Sequence, residues 1–333
     1  MTGTIAENQP ERGVLFAAAS RPDSPGFLPL SGQEFWDYQP QSHRQLWVHL
    51  DRNSPDTADW LRQHSGIHSR VAEALLSQET RPRCERFDDG VLLILRGVNL
   101  NPGADPEDMV SLRIFLERDR LITVRLRPLH SVRDVSERIR AGHGPKDLLH
   151  LFSELVESLF SRMEPTILDI NEELDAIEEE MLEGVDAAIR NRLKDYRYRA
   201  IVLRRYVAPQ RDALQRLLSL APVWMDDMTR AGLGEAADKV ARFTEDLEAA
   251  REKCALIQDE IANQMAERMN ARMYVLSIVA AVFLPLGLLT GLLGINVGGM
   301  PGVESGLAFW TVAVLLVLLG FVELYLLRRL RWL

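Results

Sequence analysis

The spacing of apolar and polar positions divides the chain into three regions. In the first, apolar residues come in short runs of strand length, with polar turns between them. Residues 46–50 read as a strand, and 57–77 as a helix weakened at Gly66. Residues 83–87 and 91–95 flank Asp88, Asp89 and Gly90, which reads as strand, turn, strand. A loop rich in Pro, Gly and Asp covers 101–108. A second hairpin pairs 110–116 with 121–126 and stops at Pro128; a short helix follows over 132–141. The pattern predicts an α/β domain over residues 1–145 with a mostly antiparallel or mixed sheet, and a polar, frayed start up to Gly13.

After Gly144 and Pro145 the apolar period becomes helical, and residues 146–272 read as a helical hairpin followed by a stalk helix. Residues 148–182 predict one long helix with Pro165 as a kink; its second half is acidic. Gly184 breaks it, and 186–220 predict a basic helix. The two signs favour an antiparallel pair, and the acidic side is also a surface able to concentrate cations. Residues 226–234 read as a linker. From Glu235 there is no Pro or Gly before Pro285, so one helix can run to residue 295, roughly 90 Å at 1.5 Å per residue.

The third region is the most apolar. Residues 273–295 contain no charge, and 307–327 contain only Glu323. Each run is long enough to cross a hydrocarbon core of about 30 Å. A loop of 296–306 joins them, and a basic tail of 328–333 follows. Arg268 and Arg272 precede the first run; Arg328, Arg329 and Arg331 follow the second; the loop carries only Glu304. The distribution of arginines puts both termini in the cytoplasm and the loop outside, with Trp310 and Trp332 near the interfaces. The expected architecture is an α/β cytoplasmic N-terminal domain, a long helical stalk and two C-terminal transmembrane helices in a lipid bilayer.

Composition narrows the function. The net charge of −9 and the scattered basic residues argue against a nucleic-acid partner. Cys84 and Cys254 lie far apart, which excludes a disulfide framework or a cysteine zinc finger and suits a reducing compartment. The N-terminus lacks a basic-then-apolar leader, so the bulk of the chain is expected to stay inside. No phosphate-binding loop, nucleophile elbow or zinc-protease motif appears, and neither an enzyme nor a bound cofactor is expected. His64 and His68 have the i,i+4 spacing of a helical zinc pair, although Gly66 between them favours ordinary surface histidines. Glu323 is a costly residue inside a span; snorkelling, pairing with a basic residue and proton transfer are all open to it.

One stripe on the first span is small or polar. It comprises Met273, Ser277, Ala280, Leu284, Gly287 and Gly291, and extends back through Asn270, Ala266, Asn263 and Asp259. Small residues also suit close helix packing. As a pore lining the stripe requires a closed ring of subunits, because two spans cannot enclose a path. Pro285 is tolerated there if a neighbour or water satisfies the carbonyl it frees. An apolar anchor for a non-transporting sensor or scaffold would need neither this stripe nor Asn296.

The span ends on Gly294, Ile295 and Asn296, followed by Val297, Gly298, Gly299, Met300, Pro301 and Gly302. A ring of Asn296 amides offers acceptors without fixed charge, suited to the waters of a hydrated divalent ion. The glycines let the backbone turn sharply near it. The segment resembles the Gly-Met-Asn signature that ends the first of two C-terminal spans in the CorA superfamily, with Ile295 in place of Met. Its continuation is similar to the zinc-transporting ZntB-like branch. The resemblance implies a CorA-like funnel, a homo-oligomer (a pentamer) with the first span lining the pore, and a stalk that relays a cytoplasmic signal. It implies transport across the inner membrane, with Zn2+ as the leading ion and Mg2+, Co2+, Ni2+ and Cd2+ as alternatives. The absence of His or Cys near the loop itself favours a hard, hydrated ion; a hydrated Zn2+ needs no soft ligand. Glu304 would place one carboxylate per subunit at the outer mouth.

Overall fold

A computed structural model describes residues 12–21, 24–37, 44–78, 80–88, 90–294 and 305–329. Seven strands form one sheet in the order β2-β1-β3-β7-β6-β5-β4. They are β1 (Val14–Arg21), β2 (Ser24–Leu30), β3 (Leu46–Asp51), β4 (Arg83–Phe87), β5 (Gly90–Gly97), β6 (Val110–Leu116) and β7 (Arg120–Arg125). All pairs are antiparallel except β3 with β7, which run parallel from Leu46 opposite Arg120. The sheet is therefore mixed. Strands β5 and β6, both interior to the sheet, are almost wholly buried because both faces are covered; their apolar runs are broken only by Arg96 in β5 and by Ser111 and Arg113 in β6. The β1–β2 hairpin was not expected. Its run Val14 to Ala19 is apolar on both sides of the sheet and so lacks the alternation that marks a half-exposed strand.

Alternate residues sort onto the two faces. Leu46, Val48 and Leu50 of β3 join Leu61, Val71 and Leu75 in one core. The helices there are α1 (Gly32–Trp36), α2 (Pro55–Asp59) with a π turn (Trp60–His64), and α3 (Ser69–Leu76). Helices α4 (His130–Arg140) and α5 (Leu148–Ser161) lie against the sheet as well, α5 on β5 and β7. Gly97 admits this approach: a Cβ there would stand 2.6 Å from Leu159 Cδ1.

The helix expected over 57–77 is broken. Gly66 adopts φ +71°, where an L residue is strained, and Ser65 closes the preceding turn with Oγ donating to Leu61 O at 2.7 Å. His68 then begins α3, its Nδ1 accepting from Arg70 N at 3.1 Å. The helix expected over 148–182 is likewise two helices, α5 and α6 (Glu164–Glu183). Pro165 lies in the first turn of α6, where its missing N–H removes no bond, so it starts a helix rather than kinking one.

Helix α7 (Ala187–Ser219) returns beside α6 and covers β4 and β5, with Pro209 inside it. The acidic and basic partners meet as expected: Arg192 holds Glu173 at 2.9 Å and Glu180 at 2.8 Å, and Arg199 holds Asp169 at 3.1 Å. Half-exposed pairs of this kind contribute about 0–1 kcal/mol each.

The expected linker at 226–234 is helical. Asp226 Oδ1 accepts from Thr229 N at 2.7 Å and caps α8 (Asp227–Leu293); that hydrogen bond also holds the carboxyl below its usual range. Residues up to Leu256 form one compact unit and those from Ile257 a second. The sheet, α4 to α7 and the first part of α8 thus belong to one compact unit. The second unit contains the rest of α8 and α9 (Ala308–Arg329).

Candidate ion pathway

Helix α8 contains a long apolar stretch that the protein's own chain leaves uncovered. A core helix of a soluble protein would be covered by its own chain; this one exposes Leu276, Phe283, Leu284 and Leu288 at 68–72%. Helix α9 does the same with Leu307 just before it, Phe309 and Phe321. Apolar surface on this scale suits a membrane or the surface of another subunit.

The two helices pack along one seam. Ile278, Val282, Leu286 and Leu289 of α8 are half-buried, and so are Ala308, Val312, Leu316, Gly320 and Glu323 of α9. Gly320 marks the close approach, where a Cβ would stand 4.0 Å from Leu286 Cδ1. Asp259, Asn263, Asn270, Met273, Ser277, Ala280, Leu284, Gly287 and Gly291 are all exposed. At 3.6 residues per turn this stripe lies roughly half a turn around α8 from the seam. Close packing of α8 on α9 within one chain therefore does not account for it. A Cβ added at Gly287 or Gly291 meets nothing within 4 Å. Ser277 Oγ donates to Met273 O at 2.9 Å, which leaves its lone pairs free to accept.

Gly294 ends α8, its N–H donating to Thr290 O at 2.9 Å. Ile295, Asn296, Val297, Gly298, Gly299 and Glu304 lie outside the described residues, as do Arg331 and Trp332. Glu323 turns toward the seam with Oε2 buried and without a hydrogen-bond partner. It forms no ion pair among the described residues.

His64 and His68 do not share a helix face, because Gly66 separates the π turn from α3. His64 Nε2 lies 3.5 Å from Asp59 Oδ2, and the His68 ring packs 5.7 Å from Phe87. Both line a cavity of about 1260 Å³ beside Trp36 and Trp60. Among the described residues no group of three His, Cys, Asp or Glu is placed to hold a metal ion. The sequence reading also missed Arg113, buried at 1% exposure in β6. Its Nη2 donates to Ser77 O at 3.0 Å, while Arg52 and Arg96 reach Leu76 O at 2.7 Å and Thr80 O at 3.0 Å. The three guanidiniums clamp the link from α3 to β4. Burial, then the charges of Arg52 and Arg96, push Arg113 down to about 10.

Residues 43–329 match the family described as CorA-like Mg2+ transporter protein. The chain belongs to the CorA family. Among its relatives is the divalent cation transporter CmaX of Pseudomonas aeruginosa, 40% identical over 291 residues, covering 86% of this chain and 87% of that one. The zinc transport protein ZntB of Yersinia enterocolitica is 35% identical over 292 residues, covering 88% and 89%. The solved full-length CmaX structure superposes with a TM-score of 0.83 at 36% identity, over 98% of this chain and all of that one. The chain is thus a CorA-family transporter with the CorA-like fold, and α8 with its stripe is the natural place to look for the path.

Proposed function

We propose that this protein carries divalent cations, zinc first among them, across the inner membrane through an axial pore. The pore is formed by a homo-oligomer, a pentamer, in which residues 273–295 of each subunit line the axis and 307–327 face lipid. The sheet-bearing part and both termini are cytoplasmic, and 296–306 are external. The observation that carries this reading is the exposed stripe from Asp259 to Gly291, set opposite the α8–α9 seam. A stripe of small and polar residues turned away from its own hairpin partner is free to line an axis shared with other copies.

In this arrangement Asn296 ends the path. Its amide oxygens, repeated around the ring, accept from the water shell of the ion, and the glycines of Gly294, Gly298 and Gly299 let the backbone approach the axis. Ile295 and Val297 flank it. Glu304 adds one carboxylate per subunit outside, which raises the local cation concentration. The relatives named for zinc favour Zn2+; Mg2+, Co2+ and Ni2+ are the competitors to be measured beside it.

The test is Asn296→Leu in purified, reconstituted protein. It is expected to abolish divalent-cation flux while the oligomer stays intact by size exclusion. Normal flux from a correctly assembled variant would remove Asn296 from the mechanism.

A further inference from the structure

Arg268 and Arg272 of α8 and Arg328 and Arg329 of α9 are all exposed and form no ion pair among the described residues. The pore lining proposed above does not include them. From Ile261 to Arg329 the described residues carry two carboxylates, Glu267 and Glu323, against these four arginines, and neither carboxylate is ion-paired with one, so a net positive charge remains at this end of the hairpin. Their placement around α8 is informative. At 3.6 residues per turn, Arg268 lies roughly 140° and Arg272 roughly 100° from the stripe, both toward the side of the α9 seam. Gly320 opposes Leu286, so Arg328 comes level with Ile278. Arg272 then lies about 9 Å further along α8 and Arg268 about 15 Å. These levels straddle the boundary between hydrocarbon and headgroups, and the long arginine side chains can reach outward to the headgroup layer, which is several ångströms thick on each side. Exposed Tyr274 and Tyr325, at 45% and 63%, sit at the same end of the hairpin, as interfacial aromatics do.

We propose that these arginines form a binding surface for anionic phospholipid headgroups on the lipid-facing side of the hairpin. The guanidinium is planar and presents paired donors to phosphate oxygens, which suits it to this chemistry. Each arginine also gains from the negative potential of an anionic leaflet. The proposal rests on the membrane reading of α8 and α9 and not on which ion passes.

The experiment is native mass spectrometry of the full chain in detergent micelles doped with equal amounts of phosphatidylglycerol and phosphatidylcholine. Wild type is expected to retain phosphatidylglycerol preferentially, the preference falling as salt screens it. The double variants Arg268→Gln/Arg272→Gln and Arg328→Gln/Arg329→Gln should each weaken retention, on the order of fivefold for each arginine removed. A control removing two exposed arginines of the sheet unit, Arg70→Gln/Arg118→Gln, should leave it unchanged. Inorganic phosphate should not compete, which separates a lipid surface from a free-phosphate site. Equal retention of the two lipids by wild type would overturn the proposal, and wild type needs no variant to fold. Undiminished retention in both pairs, an equal loss in the control, or competition by phosphate would do the same. No arm reads ion flux, so a failure here is distinct from a failure of transport.

Discussion

Thr123 serves three neighbours with one hydroxyl. Its Oγ1 donates to Val48 O at 3.2 Å and lies 2.9 Å from both Trp47 Nε1 and His49 Nδ1. Trp47 has only an N–H to offer and donates to it. His49 Nε2 is buried without a partner. Burial, and then the charge of Arg125, hold its pKa well below 6.5. The unfolded chain binds a proton near 6.5 and the folded chain does not, so this stability is present above that pH and is lost below it. We expect unfolding of the detergent-solubilised protein to become easier below about pH 6.5, by up to about 1.4 kcal/mol per pH unit for this one proton. His49→Gln should make the dependence shallower. An unchanged slope would show that His49 titrates alike in both states. None of this was legible in the sequence, where His49 carries no spacing signal; the contact with Thr123 arises only because β3 and β7 are parallel neighbours.

At the scale of elements, helix α8 offers two faces with opposite expectations. Gly287 lies on the open stripe, and Gly320 of α9 lies in the seam. Gly287→Leu should leave the hairpin and the oligomer intact and block flux. Gly320→Leu should disturb the hairpin itself, because Leu286 stands across from it. Size exclusion with flux separates the two; an intact oligomer with undiminished flux for Gly287→Leu would defeat the pore-lining assignment.

Topology is open to a cysteine test because both native thiols are sheltered. Cys84 is 2% exposed and burial pushes it up to about 12; Cys254 is fully buried and also raised. Ser305→Cys should react with an impermeant thiol reagent from the external side only, and labelling only from the cytoplasm would overturn the orientation. The hairpins β4–β5 and β6–β7 and the helices α4 and α7 were readable from period and turn residues. The errors came where one residue has two uses. Pro165 kinks a helix interior but opens a first turn, and Asp226 reads as loop until its carboxylate is seen capping α8. Gly66 was read as a weak point and is a break.

At the scale of the whole molecule, the two apolar runs, the clustered arginines and the segment from Gly294 to Asn296 carried the CorA resemblance, and the match over residues 43–329 bears it out. Two things were not legible. The sheet and the helices up to Leu256 fold as one unit, because α5 and α7 bury their apolar faces on the sheet and not only on each other. The stripe's freedom from the seam also needed the position of α9, which no periodicity within α8 supplies. The central claim is that assembled copies conduct a divalent cation. Purified wild-type protein in liposomes containing a zinc-sensitive dye tests it most directly, with Mg2+, Co2+ and Ni2+ measured in parallel and with and without a pH gradient. The account predicts protein-dependent entry of Zn2+, lost in Asn296→Leu; intact oligomers that admit none of these ions under either condition would contradict it.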